Sequence, residues 1–221
     1  MIIMSYDRKE VCRGIWEAGC FRINLETPFR LRSGLLSPYY LAAEDLLSNP
    51  DTAKVIREAE EKLIYDVMGA DAETHYIAGL ETRGLAFAAQ LAAQIHWPTC
   101  GVRKKTKDYG AEDLVFGLGK YNNEPFILVD DLITSGGSKL KPIESLRKIG
   151  KCDHCLVVID RSQGGKEELY EQGVKLHSLI IIDDFFEFIQ NSDFLSNREI
   201  AEIKEYRSDP SAWTAKMQEM L

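Results

Sequence analysis

The run Phe126-Ile127-Leu128-Val129-Asp130-Asp131-Leu132-Ile133-Thr134-Ser135-Gly136-Gly137-Ser138 combines three kinds of chemistry in one short stretch. An apolar segment reads as a buried strand, two adjacent carboxylates follow it, and a turn of small residues then opens a helix. Such a turn leaves the first backbone N–H groups of the helix unpaired, an arrangement that suits a phosphate. Gly136 and Gly137 allow the backbone to approach an anion closely, and the Thr134, Ser135 and Ser138 hydroxyls add donors. Asp130 and Asp131 cannot bind phosphate; they suit sugar hydroxyls or a hydrated magnesium ion. A sugar phosphate is the ligand with both halves. The nucleotide P-loop, G-x-x-x-x-G-K-[ST], is not met, because Gly136-Gly137-Ser138-Lys139 lacks the upstream glycine and the hydroxyl residue after the lysine. An ordinary strand-turn-helix with acidic surface residues is the bland alternative.

The elements that must hold these residues alternate along the chain. A first helix is expected from about Ser5 to Ala18, an irregular strand-like stretch from Phe21 to Leu41, and a helix from Asn49-Pro50-Asp51 to about Val67. Strands are then expected at His75–Ala78, Thr99–Arg103, Phe126–Val129, Cys155–Ile159 and Lys175–Ile182, with helices at Gly84–Ile95, Gly137–Ile149 and Glu167–Gln172 between them. Continuous apolar strands such as Leu156-Val157-Val158-Ile159 and Ile180-Ile181-Ile182 predict a parallel α/β sheet covered by helices on both faces. In such sheets ligands collect at the carboxyl ends of strands. Glu81-Thr82-Arg83-Gly84, Arg103 to Lys107, Asp130 to Ser138 and Asp160-Arg161 all fall there, which predicts one shared pocket. The remainder, 183–221, reads as helical and divided at Pro210, with Phe185, Phe186, Phe188 and Ile189 as a docking face. No repeat or Ser/Gly linker interrupts the chain, so 1–221 is read as one unit. About 1–45 and the C-terminal segments form an accessory layer, and about 70–182 the core.

Bulk properties exclude several classes. The 221 residues are 45% hydrophobic and carry a formal charge of −8, from 27 basic and 35 acidic residues. That balance argues against nucleic-acid binding as the main role. No apolar run approaches a membrane span and no secretory signal is evident, so a cytoplasmic protein is expected. Five cysteines, an odd count, fit a reducing compartment. Cys152-Asp153-His154-Cys155 has no second pair to complete a zinc site and reads as reduced cysteines ahead of a strand. His75, His96, His154 and His177 form no metal-spaced cluster. Within this acidic chain, Arg103-Lys104-Lys105-Thr106-Lys107 sets four cations in five residues. The polar loop they begin is long enough to serve as a lid, or simply as a solvated surface.

The acid-pair segment resembles the phosphoribosyl-pyrophosphate (PRPP) motif of type I phosphoribosyltransferases. Arg103-Lys104-Lys105-Thr106-Lys107-Asp108-Tyr109-Gly110 is similar to the catalytic-loop pattern R-K-x-x-K-x-H-G of the orotate phosphoribosyltransferase family. Pro28 to Tyr40 resembles that family's F-x-L-K-S-G-x-x-S-P-Y-[FY] segment, and Asp160-Arg161-Ser162-Gln163-Gly164-Gly165 its D-R-x-E-x-G turn. Ile200 to Arg207 is also similar, and the likeness spans about residues 8–213. Two places depart from the pattern. Tyr109 stands where the family has histidine, and Ile77-Ala78-Gly79-Leu80-Glu81-Thr82-Arg83-Gly84 reads more like the pyrophosphate loop of adenine phosphoribosyltransferase.

The resemblance implies a type I phosphoribosyltransferase fold with a small N-terminal hood, and transfer of the 5-phosphoribosyl group from PRPP to orotate in pyrimidine biosynthesis. It implies catalysis through Lys107, Arg103, Asp131 and Tyr109. PRPP would be held by Arg103, Lys104, Lys107, Tyr109, Thr82, Arg83, Asp130, Asp131, Leu132, Ile133, Thr134, Ser135, Gly136, Gly137 and Ser138. Orotate would meet Arg32, Tyr40, Thr134 and Arg161. Magnesium would arrive bound to PRPP, with Asp130 and Asp131 as possible supports. A homodimer sharing the catalytic loop across its interface is implied too. The rival readings are a phosphoribosyltransferase for a purine such as adenine, and a PRPP-binding regulator without turnover.

Overall fold

A computed structural model describes residues 6–31, 33–69, 73–104, 114–119 and 124–220. In chain order the elements are α1 (Arg8–Glu17), β1 (Phe21–Ile23), β2 (Phe29–Arg30), β3 (Leu36–Ser37), β4 (Tyr39–Leu41), a 3₁₀ turn at Ala43–Asp45, α2 (Pro50–Met68), β5 (Tyr76–Leu80), α3 (Gly84–Ile95), β6 (Thr99–Val102) and β7 (Val115–Phe116). There follow β8 (Phe126–Ile133), α4 (Gly137–Arg147), β9 (Cys152–Asp160), α5 (Gly165–Glu171), β10 (Lys175–Ile181), α6 (Ile182–Gln190), α7 (Asn197–Ser208) and α8 (Pro210–Met220).

Local chemistry starts α2 where the sequence predicts, and it starts α7 inside a stretch expected to be helical and divided only at Pro210. Asn49 caps α2 by accepting from the N–H groups of Asp51 (3.0 Å) and Thr52 (3.1 Å), and Pro50 supplies the preset φ of a first helical residue. Ser196 and Glu199 close a reciprocal capping box on α7.

The central sheet runs β10-β9-β8-β5-β6-β7, all parallel except the short edge strand β7. Alternate residues of its strands feed two cores. Ile77, Ile127, Val129, Leu156 and Val158 pack with α1, α2, α3 and α6 on one face, whereas Ala78, Leu128, Cys155 and Val157 pack with α4 and α5 on the other. This period of two, apolar on both faces, is the mark of a doubly covered parallel sheet.

From β5 the chain winds one way to β6, and from β8 the other way to β9 and β10, so the order reverses between β5 and β8. That crevice is where an open α/β sheet receives its ligand. Two glycines let the elements close on it. A Cβ on Gly79 would lie 2.6 Å from Leu85 Cα, and one on Gly84 would lie 2.4 Å from the Val129 carbonyl oxygen. The first turn of α3 therefore rests on β8 just before the acid pair.

β1 pairs with β4 and β2 with β3, both antiparallel, as the accessory layer. The C-terminal helices close it. Thr214 Oγ1 accepts from Leu36 N–H at 3.1 Å, and the Trp213 indole N–H donates to Glu202 at 2.7 Å. Aromatic rings continue from Phe21 through Tyr39 to Phe186 and Tyr206, with centroids 5.2–5.5 Å apart. Phe185, Phe186 and Ile189 are buried and Phe188 packs against them, the docking face expected of α6.

Several elements differ from expectation; β10 ends at Ile181, with Ile182 already opening α6, and α4 ends at Arg147. β8 continues through Asp130 and Asp131 to Ile133, because Leu132 and Ile133 still pair with Ile159 and Asp160 of β9. A pair of acids ends a hydrophobic run without ending a hydrogen-bonded ladder. β9 starts at Cys152, ahead of the expected start at Cys155, so both cysteines of the pair lie inside the strand. The two-residue β7, too short to show a period, was not anticipated. No described helix is long and apolar enough to cross a membrane.

Candidate active site

A cleft of about 1210 Å³ opens at the carboxyl ends of β5 and β8, between the sheet and the accessory layer. It brings together Tyr40, Arg83, Lys104, Asp130, Asp131, Leu132, Thr134, Ser138 and Arg161. Ile133 is buried beneath the turn, which Ser135, Gly136 and Gly137 complete. Thr82 sits in the β5–α3 turn. Arg103 lies just past β6 with its guanidinium 4.4 Å above the Phe116 ring. Arg32, Lys107 and Tyr109 fall outside the described residues.

The two acids sit in different environments although both are buried. Asp130 Oδ1 accepts from Asp131 N–H (3.0 Å), and its Oδ2 pairs with Lys139 Nζ at 2.7 Å. Both of its oxygens are thus engaged within the protein. Asp131 Oδ1 accepts from Leu132 N–H at 2.9 Å. Its Oδ2 lies 2.9 Å from Arg83 Nε, yet the alignment makes a charge contact and not a hydrogen bond, and this buried oxygen has no hydrogen-bond donor among the described residues. Burial, and then the neighbouring Asp130 charge, raise the Asp131 pKa, with Arg83 opposing them. An acceptor of this kind at a cleft wall suits a sugar hydroxyl or a hydrated cation.

Arg83 is shared. Beyond Asp131 it pairs with Glu44 of the 3₁₀ turn at 2.7 Å, and it is half-exposed. The Arg83–Glu44 pair is exposed on both sides and contributes only about 0–1 kcal/mol, whereas the Asp131 contact involves a buried carboxylate. In the phosphate turn, Gly136 N–H donates to Glu168 Oε2 at 2.7 Å, which ties the turn to α5. Asp160 accepts from Ser162 N–H at 2.8 Å and fixes the turn that carries Arg161.

Sequence reasoning missed three of these groups. Lys139 had a signal, standing directly after Gly-Gly-Ser, but its burial is a tertiary fact. Glu44 and Glu168 had none, because each reaches the site from a separate element. Among the described residues no group of three or more metal-binding side chains occurs.

An acid pair and a small-residue turn stand at the β5/β8 reversal, faced by arginines from neighbouring turns, and this donor and acceptor set suits a phosphorylated sugar. The chain belongs to the phosphoribosyl transferase domain family, whose profile matches residues 42–191. Within it, the chain falls among the orotate phosphoribosyltransferases. It is 32% identical over 221 residues to the orotate phosphoribosyltransferase of Ruegeria sp. (strain TM1040), an alignment spanning 96% of this chain and 97% of that one. The crystal structure of the Aeropyrum pernix orotate phosphoribosyltransferase is 28% identical and superposes with a TM-score of 0.66, over 81% of this chain and 99% of that one. Leishmania donovani UMP synthase shares the fold at 21% identity and a TM-score of 0.71, over 90% of this chain and 41% of that larger one.

Proposed function

We propose that this protein transfers the 5-phosphoribosyl group from PRPP to a ring nitrogen of orotate, giving orotidine 5'-phosphate and pyrophosphate. What carries the reading is that one cleft gathers Arg83, the acid pair, the Thr134–Ser138 turn and Arg161, in a chain similar along its length to orotate phosphoribosyltransferases.

The roles follow from chemistry. Backbone and hydroxyl donors of Thr134 to Ser138 hold the 5-phosphate, with Gly136 N–H moving off Glu168 to reach it, and Asp131 accepts from the ribose hydroxyls. Arg83, moving off Asp131 and Glu44, takes the pyrophosphate together with Arg103, Lys104 and Lys107. Arg161 offers a guanidinium fork to the orotate carboxylate or carbonyls, with Arg32, Tyr40 and Thr134 beside it. As the bond from the anomeric carbon to the pyrophosphate oxygen breaks, positive charge develops on the ribose and negative charge on the leaving group. The bond to the orotate nitrogen forms at the same carbon, and the proton of that ring N–H passes to solvent or to the departing pyrophosphate. Cations placed beforehand around the leaving oxygens stabilise that separation. Tyr109 can donate one hydrogen bond but carries no positive charge near neutral pH.

Magnesium fits this site, because Asp131 Oδ2 is a buried carboxylate oxygen without a hydrogen-bond donor among the described residues. When bound it supplies neutralisation of diphosphate charge. We place the loop that begins at Arg103 over a neighbouring subunit's cleft in a homodimer, where its closure excludes water that would hydrolyse PRPP.

A base panel with PRPP and magnesium, scored for pyrophosphate release, tests the reading. Orotate should support release while uracil, adenine and hypoxanthine do not. The Ile77–Gly84 segment is what favours a purine, and adenine-dependent release without orotate activity would select that reading. Release with no base at all would leave a PRPP-binding regulator.

A further inference from the structure

Lys139 lies third in α4 and is 1% exposed, although lysine is rarely buried without a partner. Its ammonium has three donors. One goes to Asp130 Oδ2 at 2.7 Å and one to the Leu132 carbonyl oxygen at 2.9 Å. The third meets no acceptor among the described residues. Asp130 and Leu132 precede the phosphate turn and Lys139 follows it, so the ammonium closes the base of that turn. Lys139 also forms part of the cleft wall, beside Asp131, Thr134 and Ser138.

A purely structural pair has no need of such a place, since buried ion pairs are often replaceable by apolar residues at little cost. A donor-only cation beneath a turn of backbone N–H groups is complementary to a phosphate monoester. We propose that Lys139 is a binding residue for the 5-phosphate end of the sugar phosphate, giving its third N–H to a phosphate oxygen while Asp130 holds the ammonium in place. This rests on the phosphoribosyl-transfer reading and adds a residue to it. It also changes the part of Asp130, which becomes the support of a cation and not a ligand group.

The test compares the wild type with Lys139→Met and with the double variant Lys139→Met/Asp130→Asn, which leaves no buried charge uncompensated. Calorimetry measures ribose 5-phosphate and, separately, pyrophosphate. Both variants should bind ribose 5-phosphate about 30-fold more weakly, as expected for one lost charge-assisted hydrogen bond, and pyrophosphate within about 2-fold. A folded double variant that binds ribose 5-phosphate as the wild type does would reduce Lys139 to the counter-ion of Asp130 and overturn the proposal. Lysine ¹⁵Nζ spectra of the wild type need no variant. The sheltered Lys139 ammonium should shift with ribose 5-phosphate and stay unmoved with pyrophosphate; a resonance indifferent to ribose 5-phosphate overturns the proposal as well. A wild type that binds PRPP but tolerates these changes refutes this inference alone, whereas one that binds neither PRPP nor ribose 5-phosphate removes the functional reading with it.

Discussion

Neighbouring carboxylates in one strand end face opposite tasks here, and their partners show which is which. Asp130 is bound on both oxygens, and its cation is as buried as it is. Asp131 has one oxygen in charge contact with Arg83 and without a hydrogen-bond donor among the described residues. The two Asp→Asn changes should therefore separate. Asp130→Asn strands the Lys139 charge and should cost roughly 3–5 kcal/mol of stability, a large share of the 5–15 kcal/mol typical of a domain. Asp131→Asn relieves a crowded buried charge, so urea unfolding should show a loss below about 1 kcal/mol, while PRPP affinity falls about 10-fold or more. Equal unfolding midpoints for the two variants would contradict the division of labour.

At the level of elements, the approach of α3 to β8 sets the distance between Arg83 and the acids. Gly84→Ala puts a methyl 2.4 Å from the Val129 carbonyl oxygen. Alanine gains at most about 1 kcal/mol in helix propensity, whereas overpacking against backbone costs about 1–3 kcal/mol. The variant should melt lower and show a raised Michaelis constant for PRPP; a melting point at or above wild type would count against this packing.

The far ends of β9 and β10 carry a second coupling. His154 and His177 stack with centroids 5.2 Å apart and share a 2.9 Å hydrogen bond, over a small apolar gap lined by Leu63, Ile64, Val67 and Met68 of α2. Burial, then His154 and Lys175, lower the His177 pKa to about 4. Burial also lowers that of His154, with Lys175 and His75 adding to it and Asp153 opposing. An unfolded histidine titrates near 6.5, so the unfolded chain binds more protons between about pH 6.5 and 4. Stability from this pair is full above about pH 6.5 and is lost as pH falls towards 4, a change on the order of 3 kcal/mol. Urea titrations across that range should show the loss in the wild type and a flatter response in His177→Gln.

For the whole molecule, the proposed sharing of the catalytic loop between subunits can be tested by mixing two inactive proteins. Lys107→Ala removes a loop cation and should lower turnover by orders of magnitude, whereas Asp131→Asn removes the sugar contact and leaves little activity when PRPP is held far below its weakened affinity. If the loop serves the neighbouring cleft, a heterodimer holds one site with both defects and one intact site. Half of a reshuffled mixture is heterodimer, so about a quarter of wild-type activity should return. Activity that stays at the level of the parents would place each loop over its own cleft.

What a sequence can settle is what short stretches of chain settle by themselves. Asn49-Pro50 starts α2 because a side-chain oxygen reaches N–H groups two and three residues on, and α3 runs over the predicted residues because its apolar period is local. The acid pair, the small-residue turn, Arg83 and Arg161 stood out in the sequence for the same reason, each belonging to a constellation of neighbours, and the structure gathers them in one cleft. Tertiary structure alone decided that β5 lies against β8, that β8 continues through the acids, that Lys139 lines the cleft, and that Glu44 and Glu168 hold Arg83 and Gly136 from separate elements. Those contacts join residues from separate elements, and their energies depend on burial and distance, which no period or spacing along the chain encodes.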